Sequence, residues 1–146
     1  MVATPKISWY FLNRETETYE LANQENFLGS FLTTDTFCLK IRLWNNRWGV
    51  EPCKNIENGQ LLIQFLNIED ASLLNYLNIT LDGIQATNVV IKDTKAYVPF
   101  NKTLSGIVNN GTDNYIDNYI DIVITIQKKL LIKTDLKSMI LDIVYY

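Results

Sequence analysis

The sequence predicts an all-β fold, an antiparallel two-sheet β-sandwich of jelly-roll or immunoglobulin-like type. Isoleucine occupies positions 120, 122, 124 and 126, which is the two-residue period of a strand that buries one face. Short apolar segments recur along the chain between asparagine- and glycine-containing turns, and no long helical pattern interrupts them. Strands of this kind need a second apolar layer, so we expect seven to nine strands in two sheets and at most one short helical turn.

The length and composition predict a single domain over residues 1–146, preceded by a short N-terminal arm of about residues 1–6. A chain of 146 residues can bury roughly 70% of the surface that its unfolded form exposes. Hydrophobic residues make up 47% and charged residues 20%, which argues against disorder and leaves room for a protein-contact surface.

In the first part of the chain, residues 7–12 are dense in aromatic and apolar side chains and predict a strand covered on both faces. Residues 13–26 are polar and predict an exposed connection, and residues 27–32 are apolar again, with Gly29 marking a bulge or a close approach of the backbone. Residues 37–44 alternate and predict a strand with one solvated face, ending at an Asn45-Asn46 turn. The predicted core face comprises Phe37, Leu39, Ile41 and Leu43, and the outer face comprises Cys38, Lys40, Arg42 and Trp44.

In the second part of the chain, residues 48–53 predict a loop or short edge strand, and strands follow at 61–66, 77–81 and 87–92. Residues 69–74 predict a helical turn that carries the chain between sheets. Residues 97–100 are extended, and Pro99 belongs at an edge or in a loop because it cannot donate to a ladder. Strand 119–126 is central, residues 130–132 are a further apolar segment, and the final strand, 139–145, is tied into a sheet.

The absence of histidine limits the chemistry of the chain. It removes Ser-His-Asp and Cys-His catalysis, histidine metal sites and the usual general base near neutral pH. The glycines form no phosphate-binding loop. A glycosidase-type pair of carboxylates is the remaining catalytic alternative. The sequence therefore predicts a protein that is not an enzyme and has no cofactor.

Two further groups of residues bear on metal binding and disulfides. Asp113, Asp117 and Asp121 recur every fourth residue, and a calcium loop is one interpretation because calcium prefers oxygen ligands. The spacing of an EF-hand is absent, so we expect a solvated loop entering a strand, with the three acids on one exposed face and no metal. Cys38 and Cys53 are too few for a disulfide framework, and whether they pair is left open.

The charge and hydropathy patterns predict no nucleic-acid or membrane partner. The net charge is −3, with 13 basic and 16 acidic residues spread along the chain, so no basic field attracts nucleic acid or anionic lipid. No run of 18 apolar residues is present, and the N-terminal residues lack the pattern of a signal peptide. We expect a soluble protein that is made in a cytoplasm.

An interaction surface is predicted around the turn that follows strand 37–44, where two tryptophans flank an arginine. Exposed tryptophan and arginine are enriched at interaction hot spots, and tryptophan also stacks on guanidinium groups and sugar rings. The alternative is that Trp48 folds back into the core. Aromatic and apolar residues also interrupt the outer face of strand 119–126 and end the chain. The predicted surface comprises Trp44, Asn45, Arg47, Trp48, Tyr119, Val123, Tyr145 and Tyr146.

Residues 37–49 and 104–127, with their asparagine-rich turns, resemble the small β-sandwich modules of bacteriophage tails, baseplates and other virion attachments. The resemblance implies a virion component, made in the host cytoplasm, that forms a symmetric homo-oligomer and contacts other structural proteins through arms and loops. It carries over no functional residue. The alternative function is a carbohydrate-binding β-sandwich that uses Trp44 and Trp48 as a stacking platform.

Overall fold

Two antiparallel sheets form the protein, as the sequence predicts. The computed structural model describes residues 3–13, 16–21, 36–65, 68–109, 111, 115–127 and 139–145. These residues form ten strands, one more than the upper end of the predicted range, and two 3₁₀ helices instead of one. The elements are β1 (Ile7–Asn13), β2 (Thr18–Leu21), β3 (Thr36–Asn45), β4 (Gln60–Phe65), η1 (Ile68–Tyr76), β5 (Asn78–Leu81), β6 (Ile84–Gln85), β7 (Val90–Lys92), β8 (Lys95–Pro99), η2 (Ile116–Asn118), β9 (Tyr119–Gln127) and β10 (Met139–Val144).

Sheet A contains six strands in the order β2-β1-β3-β9-β5-β6, and sheet B contains four in the order β10-β4-β8-β7. All neighbouring strands are antiparallel. Strand β9 lies between β3 and β5, and its four isoleucines are buried between the sheets. The central strand and its core face are therefore confirmed.

The core is a single cluster that draws side chains from both sheets. Helix η1 carries the chain from β4 in sheet B to β5 in sheet A and buries Leu73 and Leu74 in that core. This confirms the predicted helical turn and its role between the sheets. Ile56 and Leu104, which lie in loops, are also fully buried and form an isolated bridge, so residues 104–108 contribute a bridge and not a strand.

The first strand is covered on both faces, as predicted, because Tyr10 and Phe11 are both buried although they point to opposite sides of sheet A. The core face of β3 is confirmed at Leu39, Ile41 and Leu43. Its outer face is not simply solvated, since Trp44 is only 1% exposed.

The asparagine- and glycine-containing turns adopt the left-handed backbone conformation that their residue types favour. Asn46 and Asn58 have left-handed φ angles of 59° and 53°, which asparagine tolerates better than most residues. Asp82 and Gly83 also have positive φ and join β5 to β6. Pro99 is the last residue of β8 and pairs with Gln60 of β4. The ladder between β7 and β8 extends along β8 only as far as Tyr97, opposite Val90, so the missing donor of Pro99 leaves no β7 bond unmade.

The N-terminal arm lies along the loops at one end of the sandwich. Ala3 forms a parallel bridge with Cys53, and the Ala3 carbonyl accepts a hydrogen bond of 2.8 Å from the backbone N–H of Lys54. The two cysteines are free thiols, and Cys53 Sγ lies 3.2 Å from Asn45 Oδ1.

Several sequence predictions fall outside the described residues: the segments 27–32 and 130–132, and the residues Asp113 and Tyr146. Within the described ranges, no helix is long and apolar enough to cross a membrane.

Candidate protein-interaction site

The outer face of sheet A carries an arginine held between two tyrosines. Arg42 lies with its guanidinium carbon 4.1 Å from the ring centroids of both Tyr19 and Tyr119. Its Nε and Nη2 donate to the two carboxylate oxygens of Asp121 at 2.7 and 3.1 Å. The cross-strand register of β3 and β9, which pairs Arg42 with Asp121, brings these groups together. The result is a fixed, charge-neutral stack on the sheet surface.

Burial and charge shift two pKa values in this stack. Burial works to lower the pKa of the Arg42 guanidinium, but the hydrogen bonds and attraction from Asp121 outweigh it and raise that pKa further above neutrality. Burial, followed by the nearby Asp121 carboxylate, raises the pKa of Tyr19, and Arg42 only partly opposes this. Tyr19 is therefore a neutral phenol, and Arg42 remains charged.

A second arginine lies between the two tryptophans of the turn. The guanidinium carbon of Arg47 is 4.8 Å from the ring centroids of both Trp44 and Trp48. Trp44 also packs against Tyr119, with 4.5 Å between ring centroids. The prediction that Trp44 is an exposed interaction residue is wrong, because these neighbours leave it 1% exposed. Cation–π packing explains why such a large apolar ring is stable on the outer face of the sheet.

Trp48 lies at the surface instead of folding back into the core. Its side chain is 67% exposed, and its indole Nε1 donates a 2.8 Å hydrogen bond to the hydroxyl of Tyr10. The ring rests on Gly111, which has a φ of 79° and where any Cβ would overlap the indole. Trp48 is thus an exposed aromatic side chain in a fixed position.

Buried asparagines hold the loops around Trp48 together. We call Asn45, Asn46 and Asn118 the asparagine cluster; their side chains are at most 1% exposed. Asn46 Nδ2 donates to three backbone carbonyl oxygens, those of Glu51 (2.9 Å), Gly106 (2.9 Å) and Ile107 (3.1 Å). It therefore links the loop after β3 to the loop that precedes η2.

The other two members extend the network to the N-terminal arm and to η2. Asn45 Oδ1 accepts from the backbone N–H of Lys6 at 3.0 Å, and Asn45 Nδ2 donates to the carbonyls of Lys54 and Leu104. Asn118 Nδ2 donates to the carbonyl of Asn45 at 3.2 Å, across 73 residues of chain, and to that of Ile107 at 3.0 Å. Asn45 was predicted to be an exposed interaction residue; it is buried, and its role is to position the loops.

The loops that this network supports, together with the start of η2, expose a group of apolar side chains. We call them the loop-end patch: Trp48, Val50, Ile107, Tyr115 and Ile116. Val50 is 78% exposed and Ile116 is 63% exposed. Clusters of exposed large apolar residues typically mark interaction surfaces on soluble proteins.

The other residues of the predicted interaction surface lie on strands β9 and β10 or next to them, and not in the loop-end patch. Tyr119 and Val123 are half-buried on the outer face of β9, and Tyr145 is exposed beyond β10 in sheet B. The prediction that the acids share one exposed strand face is wrong where it can be checked, since Asp117 lies in η2 and Asp121 in β9 is paired with Arg42. No group of three acidic or cysteine side chains within the described part of the chain lies close enough together to hold a metal ion.

A cleft of about 250 Å³ lies beside Arg47, between the β1–β2 hairpin and the turn after β3. Its walls are formed by Tyr10, Glu17, Thr18, Tyr19, Trp44 and Arg47. Sequence reasoning did not select Tyr10, Glu17 or Tyr19. The available signal is that Tyr10 lies between Trp9, which packs against the core, and Phe11, which is part of it, so the Tyr10 ring falls on the outer face.

Comparisons with protein-family models, with curated proteins and with solved structures each returned no match.

Proposed function

We propose that this chain is a non-enzymatic structural protein that works by assembly, through protein–protein contacts in a symmetric oligomer. The observation that carries the proposal is the loop-end patch, which exposes Trp48 and four other apolar side chains on loops fixed by the asparagine cluster. The sequence resemblance suggests that the assembly is part of a virion, such as a tail, a baseplate or an adaptor.

Hydrogen bonds hold the described residues of these loops in place before any partner binds, which favours tight contact. Ordering a flexible loop costs free energy on association, whereas a preformed loop avoids most of that cost. Here the loops are held by side-chain bonds from Asn46 and Asn118 and by backbone bonds such as that from Gly111 N–H to the Arg47 carbonyl at 2.9 Å. The protein therefore presents a ready surface.

The composition of the patch also supports a protein partner. Its five members carry no charge, and exposed charged residues such as Glu51 and Asp117 lie beside them in the sequence. An apolar centre with a polar rim is the usual anatomy of a protein interface, with tryptophan the residue type most enriched at its hot spots. In a closed symmetric oligomer, copies of one such patch can bury one another.

The test compares two double variants that add the same charges at exposed apolar sites, each more than half exposed. In Val50→Glu with Ile116→Glu, the charges fall in the loop-end patch; in Ile84→Glu with Val90→Glu, they fall on the edge strands β6 and β7. We expect the wild type and the edge-strand variant to be oligomers in sedimentation-velocity analysis, and the patch variant to be a monomer with an unchanged circular dichroism spectrum.

A wild-type chain that stays monomeric at about 100 µM, a concentration at which interfaces of ordinary size associate, would contradict the proposal. So would a patch variant that assembles as well as the wild type. The virion assignment has a separate test, the genes beside this one: neighbours that encode tail or baseplate proteins would support it, and a metabolic neighbourhood would contradict it.

The alternative function, a sugar-stacking platform formed by Trp44 and Trp48, is not supported by the position of Trp44. A stacking platform needs an open ring face, and the faces of Trp44 are covered by Tyr119 and Arg47.

A further inference from the structure

We propose that the interior of the loops that carry the loop-end patch holds at least one ordered water molecule, bound by the side-chain amides of Asn46, Asn109 and Asn118. This hydration site lies inside the fold and does not depend on the assembly role. Three observations carry the proposal: the burial of these amides, the hydrogen bonds that they already make, and the convergence of the segments that hold them.

Four polar atoms of these three side chains are buried and have no hydrogen-bond partner among the described residues. They are the Oδ1 atoms of Asn46 and Asn118, and both Oδ1 and Nδ2 of Asn109. The three residues are at most 1% exposed, so bulk solvent does not reach these atoms. Buried polar groups in native proteins are almost always bonded to protein or to ordered water, because an unpaired one is costly. Four such atoms in one region therefore indicate an internal ligand.

The bonds that two of the amides already make fix their orientation. Asn46 Nδ2 donates to three backbone carbonyl oxygens, and Asn118 Nδ2 donates to two. Turning either amide over would bring its oxygen against those carbonyl oxygens, and neither atom could donate. The Oδ1 atoms of Asn46 and Asn118 are therefore acceptors, and the ligand that satisfies them must be a donor.

The segments that carry the three amides converge inside the loops. Asn46 and Asn118 donate to the same oxygen, the carbonyl of Ile107, at 3.1 and 3.0 Å, so their amides are neighbours. Asn109 follows two residues later, and its backbone N–H donates to the Gly49 carbonyl at 3.3 Å. Asn46 Oδ1 packs against this same Gly49, where any Cβ would overlap the oxygen. The unpaired atoms thus belong to one region of the interior.

Water matches these atoms better than a cation does. A water molecule donates two hydrogen bonds and also accepts, so it can serve the oxygens of Asn46 and Asn118 and the Nδ2 group of Asn109. A cation would bind oxygens alone and leave that Nδ2 group unpaired. It would also need a buried counter-charge, whereas the acids nearest in sequence, Glu51 and Asp117, are exposed.

The first test observes the water directly in the full-length protein. A high-resolution crystal structure should show a density peak about 2.8 Å from the Oδ1 atom of Asn46 or Asn118, the usual distance of an O–H···O hydrogen bond. In solution, water-selective NOE spectra should show cross-peaks between water and the side-chain amide protons of Asn46, Asn109 and Asn118. Their sign should be that of a bound molecule that tumbles with the protein.

Asn109→Leu distinguishes a bound water from an amide that is merely unpaired. Leucine is close to asparagine in shape but cannot bond water. If water is bound, its displacement leaves the oxygens of Asn46 and Asn118 without a donor, and Tm should fall by about 4 °C or more. If none is bound, the change removes an unpaired buried amide, and Tm should stay the same or rise. Asn101→Leu, at an exposed asparagine, is the matched control and should melt as the wild type does.

Three results would overturn the proposal. The first is a wild-type protein with neither the density peak nor the water cross-peaks, a measurement that decides the matter even if Asn109→Leu fails to fold. The second is an Asn109→Leu protein at least as stable as the wild type. The third is a cation in place of water, recognised by oxygen ligands at about 2.4 Å and by a rise in Tm with about 10 mM calcium chloride.

The Val50→Glu with Ile116→Glu variant separates this proposal from the assembly role. It should be a monomer and keep the water cross-peaks, because its substitutions lie at exposed positions. A wild-type chain that proves to be a monomer would contradict the assembly role alone.

Discussion

Single asparagines position the loops that carry the loop-end patch. Asn46 has two roles: its left-handed backbone makes the turn after β3, and its buried amide donates to carbonyls on two loops. Few other side chains combine tolerance of positive φ with two amide donors. The placement of the loop-end patch therefore depends on residues that are themselves almost fully buried.

Replacing Asn46 by aspartate should lower the free energy of unfolding by about 3 kcal/mol or more, because a buried carboxylate would face three carbonyl oxygens with nothing to donate. The matched control is Asn75→Asp in η1, whose amide is exposed and bonds only the Ser72 carbonyl, and which should change stability by less than about 0.5 kcal/mol. Urea denaturation measures both values, and equal losses would refute the role of Asn46.

The raised pKa of Tyr19 predicts a loss of stability at alkaline pH. In the unfolded chain the phenol ionises near its ordinary pKa of about 10, while in the folded protein burial and Asp121 hold its pKa higher. The unfolded state therefore releases its proton first, so the stabilisation is present below pH 10 and is lost as pH rises through the folded pKa.

Denaturation curves between pH 8 and pH 11 should show this loss, and Tyr19→Phe, which cannot ionise, should show a shallower decline. Tyr76→Phe, at an exposed tyrosine in η1, is the control and should follow the wild type. A Tyr19→Phe protein with an undiminished alkaline decline would exclude Tyr19 as its source.

At the scale of elements, β9 organises sheet A because it is hydrogen-bonded on both edges, to β3 and to β5. Its inward isoleucines are part of the core. Two of its outward residues, Tyr119 and Asp121, belong to the stack around Arg42. One strand thus supports both the stability of the domain and the geometry of the site.

The two faces of β9 should respond in opposite ways to the same substitution. Ile122→Asp would bury an unpaired carboxylate in the core and cost about 4 kcal/mol or more, enough to unfold a domain of this size. Val123→Asp, one residue further on, would lie opposite Lys40 on the outer face and should leave the protein folded. Circular dichroism and one-dimensional NMR distinguish the outcomes, and equal tolerance would contradict the assigned faces.

Strand β10 forms one edge of sheet B. It pairs with β4 along its whole length, from Met139 opposite Phe65 to Val144 opposite Gln60. A chain that ends at residue 138 would lose this ladder and the buried side chain of Met139, so we expect it to be unfolded or aggregated on expression. A chain that ends at residue 144 keeps the ladder and should melt as the full-length protein does. A folded, monomeric 1–138 chain would show that β10 is dispensable.

At the scale of the whole molecule, packing between the sheets holds the described residues together without a covalent link. Both cysteines are free thiols, although sequence alone left their pairing open. Dithiothreitol should therefore leave the melting temperature unchanged, as measured by differential scanning fluorimetry. A fall of several degrees on reduction would instead reveal a disulfide that stabilises the fold.

The elements predicted best are those whose pattern is local. Strands β3 and β9 are recognisable from alternation, and η1 from a change in that pattern between two strands, because period and turn chemistry depend on neighbouring residues. The site was predicted less well. Trp44 and Asn45 were selected as exposed residues, and both are buried by groups that are distant in sequence.

Periodicity and composition are readable along the chain, and they establish a two-sheet β protein with β9 in its core and no histidine chemistry. Three other features depend on contacts between distant segments: Trp44 is covered, Asn45 and Asn118 meet across 73 residues, and Tyr10, Glu17 and Arg47 line one cleft. The physical reason is cross-strand register. Which outer side chains become neighbours depends on how strands far apart in the chain align, and local propensity does not encode that alignment.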